Sequence, residues 1–266
     1  MASPASPACD ADIARAATAF ADASRARILL ALAEGRALPA SVLATEAGVS
    51  ASTVSGHLAK LMEAGVVRVE PQGRHRYYRL TGPAVGEAIE ALARIAPPLP
   101  VTSLRAATHA NALRRARTCY DHVAGGLGVA LMGALLERGV LTGGDGHHHP
   151  EAARRDRLSA PGNDTPYRLT DPGRAELAAF GVHTDRLGGR RPLIRYCVDW
   201  TEQRHHLAGA LGAAITDRLF ELDWIRRGTR RRAIDVTKAG TAGLARTFGV
   251  SAGRPPPSAG QGVFRK

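Results

Sequence analysis

Val49-Ser-Ala-Ser-Thr-Val-Ser-Gly-His-Leu-Ala-Lys-Leu-Met-Glu-Ala-Gly65 is the stretch around which the rest of the chain is organised. Val54, Leu58, Leu61 and Met62 recur at helical spacing and mark one buried stripe. Ser50 stands where a helix cap belongs, and Gly65 where a helix ends. The opposite face carries Ser52, Thr53, Ser55, His57 and Lys60, all hydrogen-bonding side chains of modest size. Such a face suits the major groove of DNA, where base edges offer donors and acceptors. An ordinary surface helix has the same pattern, so its neighbours decide.

Upstream, helical patterns run from Asp10 through Phe20 and from Ser24 to Gly35. A third spans Ala40 to Ala47, with Val42 and Leu43 inward and Gly48 ending it. Helix, Ala-Gly-Val-Ser turn, helix is a helix-turn-helix. Downstream, Val66, Val67 and Val69 lead into a strand, Pro71-Gln72-Gly73 makes a turn, and Arg74 to Leu80 returns. This hairpin wing holds Arg74, His75, Arg76 and Arg79. Arginine on a hairpin edge also serves simply to keep that edge solvated. Beside a groove-sized helix it points to phosphate and minor-groove contacts. The candidate DNA-contacting residues are therefore Ser50, Ser52, Thr53, Ser55, His57, Lys60, Arg74, His75 and Arg76.

The 266 residues leave room for roughly two domains. A net charge of +12 favours a polyanionic partner, although an arginine-rich composition gives the same sum. With 44% apolar but only 5% aromatic residues, the core must come from Ala, Leu and Val in closely packed helices. Cys9, Cys119 and Cys197 are too few for a disulfide framework and fit a reducing cytoplasm. The N-terminus has neither a basic start nor an apolar run, so no signal peptide is expected. No apolar stretch reaches the roughly 20 residues needed to span a bilayer. These features predict a soluble cytoplasmic protein with no membrane partner.

Residues 10–95 resemble the ArsR/SmtB family of bacterial winged-helix regulators. The resemblance rests on Asp22-Ala-Ser-Arg-Ala-Arg-Ile-Leu-Leu-Ala-Leu, on Val49 to Leu61, on Ala64-Gly-Val-Val and on Gly73-Arg-His-Arg-Tyr-Tyr-Arg-Leu. It implies a homodimeric repressor that binds an imperfect inverted repeat of double-stranded DNA and is released by a signal. Two family features are missing. The helix before the recognition helix, Leu38 to Glu46, has no cysteine or histidine, and Ala84 to Ile95 has Glu87 and Glu90 but no histidine. Neither metal site found in some family members transfers, so any sensing chemistry belongs elsewhere.

After Ile95-Ala-Pro-Pro-Leu-Pro100 the chain repeats itself. Arg117-Thr-Cys-Tyr-Asp121 parallels Arg195-Tyr-Cys-Val-Asp199, and His122-Val-Ala-Gly-Gly-Leu-Gly parallels His206-Leu-Ala-Gly-Ala-Leu-Gly. Leu169-Thr-Asp-Pro-Gly173 parallels Val236-Thr-Lys-Ala-Gly240, and the second copy carries six extra residues, Trp200 to His205. Each copy reads helix, turn, hairpin, helix. The helix at the recognition position, Ala130 to Leu136, is too apolar to read bases and should be buried. Arg226, Arg227, Arg230, Arg231 and Arg232 leave DNA contact by the second copy open. The predicted fold is mainly α with small β-hairpins: an N-terminal winged helix-turn-helix plus a C-terminal region of two degenerate winged-helix-like repeats. The expected divisions are a disordered 1–9, a DNA-binding domain at 10–98, a duplicated dimerisation and sensor region at 99–250, and a disordered tail at 251–266. A loop from Gly143 to Thr165, too polar and glycine-rich to fold alone, contains His147-His-His149 and Arg154-Arg-Asp-Arg157; the histidines are a weak metal signal that a solvated loop also explains.

The repeat also places chemistry. Cys119 and His122 are three apart on an expected helix and would share a face. Cys197, Asp199, His205 and His206 form the second set. Thiolate and imidazole suit zinc or another thiophilic divalent metal. A pseudo-two-fold axis would bring Cys119 and Cys197 together, to share a metal or form a disulfide, with Arg117 and Arg195 favouring thiolates. The metal or redox set is Cys119, His122, Cys197, Asp199 and His206. An organic-ligand pocket, or buried inert cysteines and no sensing at all, are the alternatives. An enzyme is disfavoured: no strand is evident before Ala124-Gly-Gly-Leu-Gly or Ala208-Gly-Ala-Leu-Gly, as a nucleotide loop requires. Those glycines read instead as close helix crossings.

Overall fold

The computed structural model describes residues 11–73, 75–97, 103–149, 167–187, 189 and 191–251. Cys9, Arg74, Arg154 to Arg157, the expected disordered N-terminus and nearly all of the expected tail lie outside the described residues. The chain divides into two compact units, Met1–Gly86 and Glu87–Lys266.

In the first unit, α1 (Ile13–Phe20) and α2 (Ala23–Leu32) start where Asp12 and Asp22 accept the Arg15 and Arg25 amides at 2.9 and 2.8 Å. Strand β1 (Leu38–Pro39) precedes α3 (Ala40–Ala47), which ends at Gly48 in the left-handed region, φ +70°. Then come α4 (Ala51–Glu63), β2 (Val67–Gln72) and β3 (His75–Leu80). The sheet order is β1-β3-β2, all antiparallel, with Val67 opposite Leu80 and Leu38 opposite Tyr78. The strand β1 was not foreseen. The hairpin is also longer than expected, since Pro71 and Gln72 pair within β2 opposite Arg76 and His75. Ile28, Leu32, Leu43, Val54, Leu58 and Leu61 are all within 1% of complete burial and form the core. Each such side chain stabilises the fold by roughly 1.5–3 kcal/mol. Met62 and Val42 are exposed, not inward: the stripe on each short helix is narrower than its apolar residues suggest.

The second unit begins within α5 (Pro83–Ile95) and continues with α6 (Leu104–Arg115), a helix the sequence pattern did not announce. Two runs with one element order follow. The first is β4 (Arg117–Cys119), β5 (His122–Ala124), α7 (Gly125–Glu137), β6 (Leu141–Thr142), β7 (Arg168–Leu169) and α8 (Asp171–Ala179). The second is β8 (Arg195–Val198), β9 (His205–Ala208), α9 (Gly209–Glu221), β10 (Ile225–Arg227), β11 (Ile234–Val236) and α10 (Lys238–Phe248). Each run is hairpin, helix, hairpin, helix, and not helix, turn, hairpin, helix. The apolar α7 is buried, as its composition requires, and the two runs share one core containing Met132, Leu135, Leu211, Leu219 and Leu244.

The runs interlock. Helix α7 packs on β9 of the second run and α9 on β5 of the first. Backbone bonds cross as well: Thr118 N donates to Arg232 O at 2.9 Å, and His205 N to Gly146 O at 2.9 Å. Arg232, offered above as a DNA contact, is 6% exposed because its guanidinium is drawn inward to Glu90 and Thr118 O.

Candidate DNA-binding face and Cys/His centre

Helix α4 presents two chemically distinct sides. Val54, Leu58 and Leu61 are buried, whereas Ser52, Thr53, Ser55 and Lys60 are exposed. Ser50 caps the helix, its Oγ accepting Thr53 N at 3.2 Å and lying 2.9 Å from Ser52 Oγ. Ser55 Oγ donates back to Ala51 O at 2.9 Å. His57 is half-buried, with Nδ1 3.8 Å from Asp22 Oδ1 at the cap of α2. At the wing, His75 and Arg76 are exposed, while Arg68 and Arg79 reach Glu70 at 3.0 and 3.5 Å. Arg74 lies outside the described residues.

The second unit brings the repeated cysteines and histidines together. Cys119 and His122 are not on a helix: they are cross-strand partners closing the β4–β5 hairpin, so they share a face. Cys197 and His206 are partners in the same way across β8–β9. The two hairpins meet, and one ligand atom from each of these four buried residues lies within 4.8 Å of all the others. Both cysteines are free thiols, packed with Ala124 and Ala208 in a small cluster. The imidazoles stand 5.2 Å apart between centroids. Strand alternation turns His205 to the other side, where its Nδ1 meets Tyr167 Oη at 2.7 Å.

A carboxylate backs each imidazole. Asp121 Oδ1 is 3.2 Å from His122 Nδ1, and Asp199 Oδ2 is 3.5 Å from His206 Nδ1. An arginine holds each carboxylate in turn: Arg191 on Asp121, and Arg117 on Asp199 at 2.9 Å. Asp199 is not among the four clustered ligands. Its oxygens accept from Arg117, Thr201 Oγ1 and the amides of Gly125, Thr201 and Glu202. Burial pushes its carboxyl up, but Arg117, His206 and these donors prevail and hold it well below the usual range. Asp121 likewise falls to about 2: His122 and Arg191 overcome its burial.

Arg117 and Arg195 do not favour thiolates as expected. Arg117 is spent on Asp199, and Arg195 pairs with Glu87 at 3.0 Å. The Cys119 thiol, hydrogen-bonded to Cys197 and buried, is instead held well above the usual range. Burial pushes His206 well down, whereas at His122 the Cys119 sulfur and Asp121 outweigh burial and lift it to about 9.

Residues 20–70 match the family model described as a helix-turn-helix domain. The chain is 38% identical over 230 residues to an uncharacterized HTH-type transcriptional regulator, YdfF of Bacillus subtilis (strain 168), spanning 86% of this chain and 93% of that one. The chain belongs to the ArsR family of winged helix-turn-helix transcriptional regulators. The 230 aligned residues exceed the 86 of the first unit, so the likeness to YdfF extends into the second. The HTH-type transcriptional regulator CmtR of Mycobacterium tuberculosis (strain ATCC 25618 / H37Rv) is 35% identical over 100 residues, 36% of this chain and 84% of that one. Among solved structures, the homodimeric winged helix-turn-helix domain of Mb0332 from Mycobacterium bovis, a possible ArsR-family regulator, is 30% identical. It covers 31% of this chain and 82% of that one, with a TM-score of 0.28.

Within this ArsR-family regulator the glycines that open α7 and α9 do have strands ahead of them, β5 and β9, contrary to expectation. They still make no phosphate loop. Gly125 and Gly209 take φ +74° and +80°, where a β-carbon would strike backbone at 2.8 Å, and Gly125 N is committed to Asp199. His147 and His149 are exposed and bond to Asp145. Among the described residues no helix is long and apolar enough to cross a membrane. Three contributors to the centre were not in the expected metal or redox set: Asp121, Arg191, and Thr216, whose Oγ1 receives Val123 N at 3.0 Å. Asp121 was within reach, because the repeat aligns it with Asp199.

Proposed function

We propose that this regulator binds an inverted-repeat operator as a homodimer and represses from it. Helix α4 of each protomer enters the major groove, and the β2–β3 wing holds flanking phosphates. The observation that carries this reading is the division of α4 into a buried stripe and an exposed face of Ser52, Thr53, Ser55 and Lys60. His75 and Arg76, exposed on the wing, supply positive charge and hydrogen-bond donors beside it. The second unit is the duplicated regulatory part, two runs of hairpin, helix, hairpin, helix that pack α7 and α9 into a shared core. Its Cys/His centre receives the signal that releases DNA.

Selection of bound sites from a random DNA pool tests the reading. Enrichment of a two-fold inverted repeat is expected, bound with a steep salt dependence. A pool that never converges, or a monomer bound to a single half-site, would remove the dimeric-operator reading. A constitutive regulator would bind its selected site equally under metal-loaded, metal-free, oxidised and reduced conditions.

A further inference from the structure

We propose that Cys119, His122, Cys197 and His206 form a closed tetrahedral site for one thiophilic divalent cation of the zinc class. Asp121 and Asp199 act as positioning residues behind the two histidines. The site deepens the sensing part of the function proposed above. The cation-binding claim itself stands independently of DNA.

Four observations converge on it. The donor set, two sulfurs and two imidazole nitrogens, is the one zinc prefers when fully enclosed by protein. The spacing is near what a metal needs. Tetrahedral bonds of roughly 2.0–2.3 Å separate neighbouring ligand atoms by roughly 3.3–3.8 Å, and the four atoms already lie within 4.8 Å of one another. Small side-chain rotations close the difference.

The third observation is polar satisfaction. His122 Nε2, and both ring nitrogens of His206, are buried without a hydrogen bond. A buried polar atom left unpaired is costly, and a metal bond is what the two Nε2 atoms lack. Nδ1 of each ring faces a carboxylate, at 3.2 Å for Asp121 and 3.5 Å for Asp199. That leaves Nε2 for the cation. A carboxylate behind a ligating histidine fixes its tautomer and ring direction.

The fourth is charge. A divalent cation displaces the two thiol protons and any proton carried on the histidine Nε2 atoms; the cation, two thiolates and two neutral imidazoles then sum to zero. The supporting carboxylates are already neutralised by Arg191 and Arg117. A neutral assembly avoids the penalty of burying net charge. With all four positions filled by protein there is no open position for substrate, so the site holds and signals; it does not catalyse.

The test uses the full-length, freshly reduced protein with zinc, and with cobalt as the spectroscopic probe. One equivalent of metal per chain is expected by native mass spectrometry. Cobalt should show the intense ligand-field bands of a tetrahedral ion and charge-transfer from two thiolates. Cys119→Ser and Cys197→Ser should each abolish stoichiometric zinc and, with it, the thiolate-to-cobalt charge-transfer band. Should either variant fail to fold, X-ray absorption on the zinc-loaded wild type decides alone: two sulfur and two nitrogen neighbours are required.

Absence of zinc uptake, a shell of nitrogen and oxygen only, or unchanged binding in both folded variants would overturn the site. The last two results would assign the metal elsewhere, for instance to His147 and His149. Operator affinity measured on the same samples separates the two claims. Zinc uptake without DNA binding keeps the site and sinks the regulator reading. DNA binding without zinc uptake does the reverse. Zinc uptake with unchanged operator affinity keeps the site and removes its signalling role; a shift of roughly 5–150-fold is the size expected of such coupling.

Discussion

Gly128 lies beneath His206 of the other run: a β-carbon at 128 would stand 3.3 Å from His206 Cβ and 2.4 Å from Val123 O. Gly212 mirrors this, its would-be β-carbon 3.4 Å from His122 Cβ. Each helix thus keeps a glycine chiefly against a carbonyl of its own run, Val123 O at 2.4 Å and Leu207 O at 2.6 Å, with the histidine of the opposite hairpin packed just beyond. Gly128→Ala should destabilise the second unit by about 1–3 kcal/mol through overpacking. In thermal unfolding that is a fall of about 2–4 °C per kcal/mol. Gly133→Ala is the control on the same helix, with nothing within 4 Å of its added carbon. It should be neutral or slightly stabilising. Equal loss in both variants would show that the close approach to Val123 O and His206 is not what requires glycine.

The pair Arg117–Asp199 is fully buried on both sides. Asp199→Ala leaves the Arg117 guanidinium enclosed and strips the Gly125 amide of its acceptor. Breaking a buried pair in this way costs about 3–5 kcal/mol. Arg226→Ala removes an ion pair with Asp223 whose side chains are 68% and 54% exposed; solvent screens it, so the loss should be far smaller. Denaturant unfolding of the two variants compares them directly. A cost for Asp199→Ala no larger than for Arg226→Ala would mean that the buried network is not structural.

On the wing, Arg76→Ala should weaken binding to operator and random DNA alike and flatten the salt slope by about 1. Fluorescence anisotropy across a salt series measures both quantities. Binding that is unchanged at every salt concentration removes Arg76 from the interface.

His57 separates two roles. As a base contact, His57→Ala would lower operator affinity while sparing random DNA. As a partner of Asp22 at 3.8 Å, it would seat α4 on α2, and its loss would reduce both affinities together with the stability of the first unit. The ratio of operator to random-DNA affinity, read beside the unfolding midpoint, decides between them. We expect the ratio to fall.

Cap stability gives a last check on α4. Ser50→Ala removes the acceptor for Thr53 N and should cost about 0.5–2 kcal/mol. Ser52→Ala leaves that acceptor in place, so any loss of DNA affinity it causes without loss of stability belongs to the DNA face.

Much of α4 and its neighbours was legible because local rules dominate there. Ser50 caps, Gly48 turns the chain, and period-3.6 leucines choose the buried side. The misjudged positions, Met62 and Val42, lie at the margins of a stripe, where one-dimensional spacing cannot say how far the neighbouring element reaches. At the centre the difficulty was different. A separation of three residues brings Cys119 and His122 onto one helix face, and equally makes them the closing pair of a two-residue hairpin. Only the register, Cys119 opposite His122, distinguishes the two.

By itself the sequence determined the helix-turn-helix, its wing, the burial of α7, and the fact of a duplicated Cys/His pattern, because each depends on neighbours a few residues away. Tertiary structure alone decided where the duplicated residues meet. Cys119 and Cys197 are 78 positions apart in the chain numbering. Nothing local says that β5 and β9 meet, that Gly128 and Gly212 leave room for the opposing histidines, or that Asp199 is engaged by five donors and stands behind the cluster. Those outcomes follow from packing two runs around one core. Burial there cancels the solvent's claim on each imidazole and thiol and leaves them to one another.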